Sequence, residues 1–236
     1  MRKYKLIFAG DNTAISLTCA PMKSKLIVAL DVDGFERAAG LVTQLRNDVE
    51  IFKVGSQLFT RTGPRIVEFI NSQSRQCFLD LKFHDIPDTV AKAVKSAASL
   101  GVAMLTVHVA GGEKMLRSAA MVHPRPKLLG VTVLTSVAGD VEAEVLERAM
   151  LAQKCGLDGV IASPHEIRQL RKELGGNFLI VTPGIRPAGS EAGDQKRTLT
   201  PAQAAWAGAD YIVVGRPIIE AGNPLDATRR ILAELA

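Results

Sequence analysis

A regular alternation of short apolar runs with segments of helical periodicity limits the possible folds of this chain more than any other feature. Eight runs rich in β-branched and aliphatic residues have the length of buried strands. They lie at residues 26–32, 51–55, 77–82, 104–109, 128–134, 159–163, 178–182 and 211–214. Helical spacing is found at residues 34–46, 64–70, 88–100, 141–155, 164–174 and 224–235, and between Gly112 and Met121. This order predicts parallel strands, because each parallel connection needs a crossover.

The same alternation favours a closed barrel over an open doubly wound sheet. No Gly-x-Gly-x-x-Gly turn, which is typical of dinucleotide-binding sheets, repeats along the chain. With 236 residues, 47% of them hydrophobic, the chain can bury a full core as one domain. We therefore predict an α/β fold that forms a single (β/α)8 TIM barrel.

The barrel is predicted to occupy residues 22–236, because Met22 is followed at once by the start of the first apolar run. Residues 1–21 are predicted to be an N-terminal extension that is either disordered or a non-native start. Their basic beginning resembles that of a signal peptide, but Asp11 and Asn12 interrupt the apolar segment that should follow. Secretion is therefore not expected.

Charge and cysteine content narrow the class of partner. The formal net charge is +5, of which residues 1–21 contribute +2, and the remaining +3 favours a small anionic ligand over nucleic acid. No apolar run is long enough to span a membrane. The three cysteines cannot all pair, and Cys77 and Cys155 fall in apolar elements, so a reduced, cytoplasmic protein is expected.

Ionisable side chains are most crowded at the end of the third apolar run. Asp80 and Lys82 are two residues apart, so on a strand they would share one face. Asp85 follows on the turn, and Asp88 or Thr89 is placed to begin the next helix. A structural ion pair is the simplest explanation of Asp80 and Lys82 taken alone. The additional Asp85 and the position at a strand end favour a functional role.

Several other runs also end in polar residues. Such positions at the C-terminal ends of strands form the active face of a (β/α)8 barrel. They are Asp31, Lys53, Asp80, Lys82, Thr135, Ser136 and Arg216. Lys53 lies inside its strand, so a neighbouring carboxylate is expected to offset the burial of its charge. His84 and His108 are interpreted as structural, because the four histidines of the chain lack metal-ligand spacing.

An anion site is predicted after the eighth run. Gly215 and Arg216 offer backbone N–H groups and a cation where barrels of this type often bind phosphate, although a glycine turn with a surface arginine would look the same. The long polar segment 183–200 is typical of a lid, and it carries Arg186 and Gln195, a cation and a two-way amide. A phosphorylated, polar small molecule is the ligand that these residues predict.

Together these motifs resemble those of the orotidine 5′-phosphate decarboxylase family. The resemblance covers the chain from about Lys25 onward. It rests on Asp31, Lys53, the run Asp80-Leu-Lys-Phe-His-Asp-Ile-Pro-Asp-Thr89, Leu134-Thr-Ser136, Pro183-Gly-Ile-Arg186, Asp194-Gln195 and Gly215-Arg216. It implies decarboxylation of orotidine 5′-phosphate to uridine 5′-phosphate, the last step of de novo pyrimidine biosynthesis. It also implies that neither a metal nor an organic cofactor takes part.

The resemblance assigns a role to each motif residue. Asp31 and Lys53 would hold the ribose hydroxyls, and Lys53, Asp80 and Lys82 would form a charged array. The array is completed by Asp85 of a second subunit, whose Thr89 also reaches the substrate, so a homodimer with shared sites is implied.

The remaining motif residues would bind the two ends of the nucleotide. Thr135, Ser136 and Gln195 would contact the pyrimidine. Arg186, Gly215 and Arg216 would serve the lid and the phosphate.

Two other functions remain open at this stage. A Mg²⁺-dependent sugar-phosphate decarboxylase or aldolase can use the same Asp-x-Lys-x-x-Asp pattern, but it would need an acid in place of Lys53 to bind the metal. A non-catalytic phosphate-binding barrel could keep Arg216 but has no need for Lys82. The residues suit a decarboxylase, because an ammonium such as Lys82 can both stabilise the carbanion that forms when CO2 leaves and protonate it.

Overall fold

Eight parallel strands close into a barrel in the order β1 to β8 in the computed structural model of the chain. The structure describes residues 24–134, 141–187 and 199–236. The strands are β1 (Lys25–Ala29), β2 (Ile51–Gly55), β3 (Gln76–Phe83), β4 (Met104–His108), β5 (Lys127–Val131), β6 (Gly159–Ile161), β7 (Leu179–Thr182) and β8 (Tyr211–Val214). Because β8 pairs with β1, the sheet has no open edge, and the predicted (β/α)8 fold is confirmed.

Helices surround this barrel. They are α1 (Phe35–Leu45), α2 (Ser56–Thr62), α3 (Arg65–Ser72), α4 (Pro87–Ser99), α5 (Gly112–Ala120), α6 (Glu142–Lys154), α7 (Ile167–Leu174), α8 (Pro201–Ala207), α9 (Arg216–Ile219) and α10 (Pro224–Glu234). Single 3₁₀ turns at Val109–Gly111 and Pro164–Glu166 precede α5 and α7. Within the described residues, no helix is both long and apolar enough to cross a membrane.

The sequence predicted most of these elements but missed three short helices, α2, α8 and α9. Of these, α8 has a readable start signal, because Thr200 and Gln203 form a reciprocal capping box around Pro201. The first, fifth and sixth strands end earlier than predicted. Val133 and Leu134 extend the fifth apolar run, but they line a cleft instead of continuing the strand.

Two apolar layers hold the barrel together, one on each face of its strands. Successive strand residues alternate between them, so Val28 packs outward against the helices while Ile27 packs inward. The inner cluster consists of Ile27, Ala29, Ile51, Phe78, Met104, Leu129, Val181, Tyr211 and Val213. The barrel centre is therefore a packed core and not a channel.

Two arginine–aspartate pairs tie the loops at the N-terminal ends of the strands. Arg171 pairs with Asp210 and donates to the carbonyls of Gly175, Phe178 and Gly208. Asp210 also accepts a hydrogen bond from the backbone N–H of Ile180, at 2.8 Å.

Arg125 and Asp158 repeat this arrangement before β6. Asp158 accepts from the backbone N–H of Leu128 at 2.7 Å, and Arg125 also donates to the carbonyls of Ala120, Pro126 and Gly156. Both pairs lie at the end of the barrel opposite the strand C-termini.

The cysteines of the described residues, Cys77 and Cys155, are free and buried. Burial raises the pKa of the Cys77 thiol to about 12. Such a thiol stays protonated at neutral pH, so Cys77 fills space in the core and is a poor nucleophile.

Candidate active site

The floor of the candidate site is the first polar layer above the apolar interior. On β2, β3 and β4 the inward-facing residues are Ile51, Phe78 and Met104, and the next inward positions are Lys53, Asp80 and Thr106. Period-two alternation therefore places an ammonium, a carboxylate and a hydroxyl side by side at the C-terminal ends of three adjacent strands.

Asp80 is the centre of this layer. Its Oδ1 lies 2.8 Å from Nζ of Lys82 and accepts a hydrogen bond from Oγ1 of Thr106 at 3.0 Å. Its Oδ2 lies 3.3 Å from Nζ of Lys53, which is also 3.3 Å from Oδ1 of Asp31. A chain of alternating charges, Asp31–Lys53–Asp80–Lys82, thus crosses the mouth of the barrel.

This arrangement keeps its central groups ionised. Burial raises the pKa of Asp80, but Lys53 and Lys82 outweigh it, together with the hydrogen bonds from Lys82 and Thr106, so the net pKa lies below the ordinary value. Burial lowers the pKa of Lys53, yet Asp80 and Asp31 outweigh that effect and raise it overall. The carboxylate expected near Lys53 is therefore present, and there are two of them.

Lys82 does not lie on a regular strand. Its φ is +52°, in the left-handed region, and the β3–β4 pairing shifts from Leu79 opposite Leu105 to Phe83 opposite Val107. Four residue steps on β3 therefore match two on β4, which makes a bulge. The expected contact between Asp80 and Lys82 is present, but simple alternation along a strand does not explain it.

A cleft of about 470 Å³ opens above this layer. Of the site residues predicted from sequence, those that line it are Asp31, Lys53, Asp80, Lys82, Arg186, Gly215 and Arg216. Its wall also includes apolar side chains, among them Val131, Leu134 and Ile161. The cleft is thus charged at its floor, apolar on one side, and bordered by two arginines.

Asp85 and Thr89 do not line this cleft, and the resemblance assigns both of them to the site of a second subunit. Both are exposed, and Oδ1 of Asp85 accepts a hydrogen bond from the backbone N–H of Ile86 at 2.6 Å. The prediction that Asp88 or Thr89 begins the following helix is wrong. Helix α4 begins at Pro87, with Ile86 at the cap position. Pro87 suits the first helical turn, since the N–H it lacks would have no partner there.

Three predicted site residues, Thr135, Ser136 and Gln195, lie outside the described residues, as does the extension at residues 1–21. His84 and His108 lie beside the floor, with ring centroids 5.5 Å apart. Burial, His84, Lys82 and Arg148 lower the pKa of His108, which favours its neutral form.

Sequence reasoning missed two residues of the site. Thr106 contacts both Asp80 and Lys82, and Glu220, just after α9, lines the cleft. Thr106 could have been found from the inward periodicity of β4, which places it next to Asp80 once the strand order is known. No local signal marks Glu220.

Fold and site together define a (β/α)8 barrel of the enzymatic type, with a lysine–aspartate array at the C-terminal strand ends and a cationic rim. The model of the Orotidine 5′-phosphate decarboxylase / HUMPS family matches residues 24–231. The chain belongs to this family.

Similar proteins agree with that assignment. An orotidine 5′-phosphate decarboxylase of Moorella thermoacetica is 46% identical over 233 residues, with 90% of this chain and 92% of the relative covered. One of a Nostoc species is 47% identical over 232 residues, covering 89% and 97%. The crystal structure of the Lactobacillus acidophilus enzyme of that name superposes with a TM-score of 0.79 at 39% identity, covering 90% of this chain and 99% of the other.

Proposed function

We propose that this protein is an orotidine 5′-phosphate decarboxylase, which converts orotidine 5′-phosphate to uridine 5′-phosphate and CO2 without a metal or organic cofactor. The observation that carries the proposal is the Lys53–Asp80–Lys82 array, placed in one cleft with Arg216. The reaction is the last step of de novo pyrimidine biosynthesis.

The array matches the charge that the reaction develops. When the bond between C6 and the carboxylate breaks, CO2 leaves and an electron pair remains on C6, where the ring π-system cannot accept it. The Lys82 ammonium stabilises this pair and then transfers a proton to C6, after which water reprotonates the lysine. Asp80 holds the Lys82 ammonium at 2.8 Å and places a carboxylate beside that of the substrate.

The cleft also suits the remaining parts of a nucleoside monophosphate. Its volume of about 470 Å³ lies within the usual range for small-molecule sites. Asp31 and Lys53 would bind the ribose hydroxyls, Gly215 and Arg216 the phosphate, and Arg186 of the lid would close over it. Binding the distant phosphate would contribute to the rate at C6, because it orders the lid and the array together.

Lys53 is evidence against a magnesium-dependent sugar-phosphate enzyme. Its ammonium lies 3.3 Å from a carboxylate oxygen of Asp31 and 3.3 Å from one of Asp80. The protein thus supplies its own cation between the two carboxylates, where the metal-dependent chemistry would need a further acid. A non-catalytic phosphate-binding barrel is disfavoured because it would have no use for the Lys82–Asp80 pair.

The active unit proposed is a cytoplasmic homodimer with shared sites. Asp85 and Thr89 are exposed at the start of α4 and do not line the cleft of their own barrel. Ile86, which lies between them in the sequence, exposes 66% of its surface. An exposed apolar side chain beside polar ones is consistent with a protein contact surface. In the dimer, these residues would reach the cleft of the partner subunit.

One assay tests the activity directly. Purified protein in EDTA should consume orotidine 5′-phosphate, measured by the loss of its absorbance, and Lys82→Ala should lower the rate by a factor of at least roughly 1000. Lys172→Ala, on the exposed face of α7, serves as the matched lysine control. Turnover that EDTA abolishes and Mg²⁺ restores would favour the sugar-phosphate alternative instead.

Mixing two inactive variants tests the shared site. In a heterodimer of Lys82→Ala and Asp85→Ala subunits, one site carries both lesions and the other carries neither. The mixture should therefore regain turnover, approaching half that of the wild-type dimer for each heterodimer. If native mass spectrometry confirms the heterodimer and no activity returns, Asp85 acts within its own barrel.

A further inference from the structure

We infer that Thr106 is a positioning residue of this site, whose side-chain hydroxyl fixes both the backbone of Lys82 and the carboxylate of Asp80. Thr106 lies on β4, away from the sequence motif that carries Asp80 and Lys82 on β3. The inference rests on the proposed function, because it concerns the reaction for which Lys82 is held in place.

The hydroxyl of Thr106 makes two hydrogen bonds of opposite direction. Oγ1 accepts from the backbone N–H of Lys82 at 2.8 Å and donates to Oδ1 of Asp80 at 3.0 Å. The same Oδ1 lies 2.8 Å from Nζ of Lys82. Thr106 therefore holds Lys82 at two points, its backbone N–H directly and its ammonium through the carboxylate of Asp80.

The bulge of β3 explains why this hydroxyl is needed. Thr106 lies between Leu105 and Val107, the two β4 residues on either side of the register shift. Within the bulge, Lys82 has no regular ladder partner for its N–H, and an unpaired N–H is unfavourable at a position that is partly buried. The Thr106 hydroxyl takes the place of a backbone carbonyl at this point.

Burial makes the contact rigid. Thr106 has no solvent-accessible surface, so water cannot replace the hydroxyl where it meets Lys82 and Asp80. The left-handed backbone of Lys82 is unfavourable for a residue with a side chain and persists only where its surroundings hold it. Without the hydroxyl, Lys82 can relax toward an ordinary conformation, which turns its ammonium away from Asp80.

Two substitutions separate the hydroxyl from the shape of the side chain. Thr106→Val keeps the volume but removes donor and acceptor, whereas Thr106→Ser keeps the hydroxyl and loses only a methyl group. Thr228→Val is the matched control, because Thr228 is equally buried, its hydroxyl donates to the carbonyl of Pro224 within α10, and it does not line the cleft. Thr106→Ala is a second hydroxyl-free variant should valine prevent folding.

The expected kinetic result is a loss in kcat that serine largely avoids. Thr106→Val should lower kcat for orotidine 5′-phosphate by roughly 10- to 100-fold, as expected for the loss of hydrogen bonds to charged groups. The dissociation constant of the product uridine 5′-phosphate should change less than about threefold, since the groups proposed to bind ribose and phosphate are untouched. Thr106→Ser and Thr228→Val should stay close to wild type.

Amide hydrogen exchange tests the same contact without turnover. The Lys82 N–H should exchange slowly in wild type and in Thr106→Ser, and much faster in Thr106→Val, while amides of β7 remain unchanged. Unchanged exchange at Lys82 in Thr106→Val overturns the inference, as does a kcat within twofold of wild type or an equal loss in Thr106→Ser. If wild-type protein does not consume orotidine 5′-phosphate, the proposed function fails, and exchange alone decides whether Thr106 positions Lys82.

Discussion

Removing Arg171 should separate the stability of this barrel from its chemistry. In Arg171→Met, the aliphatic stem remains on α7 but the guanidinium is lost. Asp210 then keeps only the backbone N–H of Ile180 as its hydrogen-bond donor in this arrangement. The carbonyls of Gly175, Phe178 and Gly208 each lose the same partner.

Burial sets the size of the effect. The side chains of Arg171 and Asp210 are only 18% and 13% exposed, and breaking such a pair typically costs about 3–5 kcal/mol because a charge stays buried without its partner. For a chain of this length, that loss lowers the melting temperature by roughly 6–20 °C. The Lys172–Glu173 pair, also on α7, is 83% and 44% exposed, so Lys172→Met should cost no more than about 0.5 kcal/mol.

Urea denaturation at one fixed protein concentration gives the free energy of unfolding of both variants and of wild type. Turnover of orotidine 5′-phosphate at room temperature measures function. Arg171→Met should keep kcat/KM within about twofold, because Arg171 lies at the opposite end of the barrel from the cleft. A loss below about 1 kcal/mol, or one equal to that of Lys172→Met, would refute the burial argument. If folded Arg171→Met protein turns over substrate much more slowly than wild type, the idea that this end of the barrel serves stability alone would be refuted.

Three further outcomes are expected. Arg216→Ala should lower kcat/KM by roughly 10- to 100-fold and be partly rescued by free guanidinium, and failure of rescue would question the phosphate assignment. Deleting residues 1–21 should leave melting and turnover unchanged, and a clear loss of stability would show that the extension belongs to the fold. The lowered pKa of Asp80 should make wild type more stable than Asp80→Asn above about pH 4, and this advantage should fade as the pH falls through the folded pKa. An advantage that persists in strong acid would contradict it.

The sequence predicted the barrel well because each strand is a short apolar run and every run except the seventh is followed by a helical pattern. Ile51–Gly55 and Tyr211–Val214 were placed without error, since charged or glycine residues bound them closely. Several other strand ends were predicted wrongly, because apolar residues such as Val133 extend the run although they line the cleft. The apolar runs could therefore identify the strands but not where each one stops.

The charged array was predictable in composition but not in geometry. Lys53 required a carboxylate because of its burial, and two were found. The bulge at Lys82 has no signal in the sequence, since Leu81-Lys-Phe83 reads as a continuing strand without glycine. The contact of Thr106 depends on the register between β3 and β4, which only the folded chain defines.

The left-handed bend at Lys82 also limits how this site could be rebuilt elsewhere. On a regular strand, residues two apart are about 7 Å apart along the chain. Grafting Asp-x-Lys onto another parallel barrel would therefore reproduce the residues without their spacing. A designer would have to transplant the widened β3 segment together with a hydroxyl on the next strand. The unit to transplant is therefore the irregular pair of strands. In the host barrel, the backbone hydrogen bonds between those two strands would be interrupted at the position of the lysine.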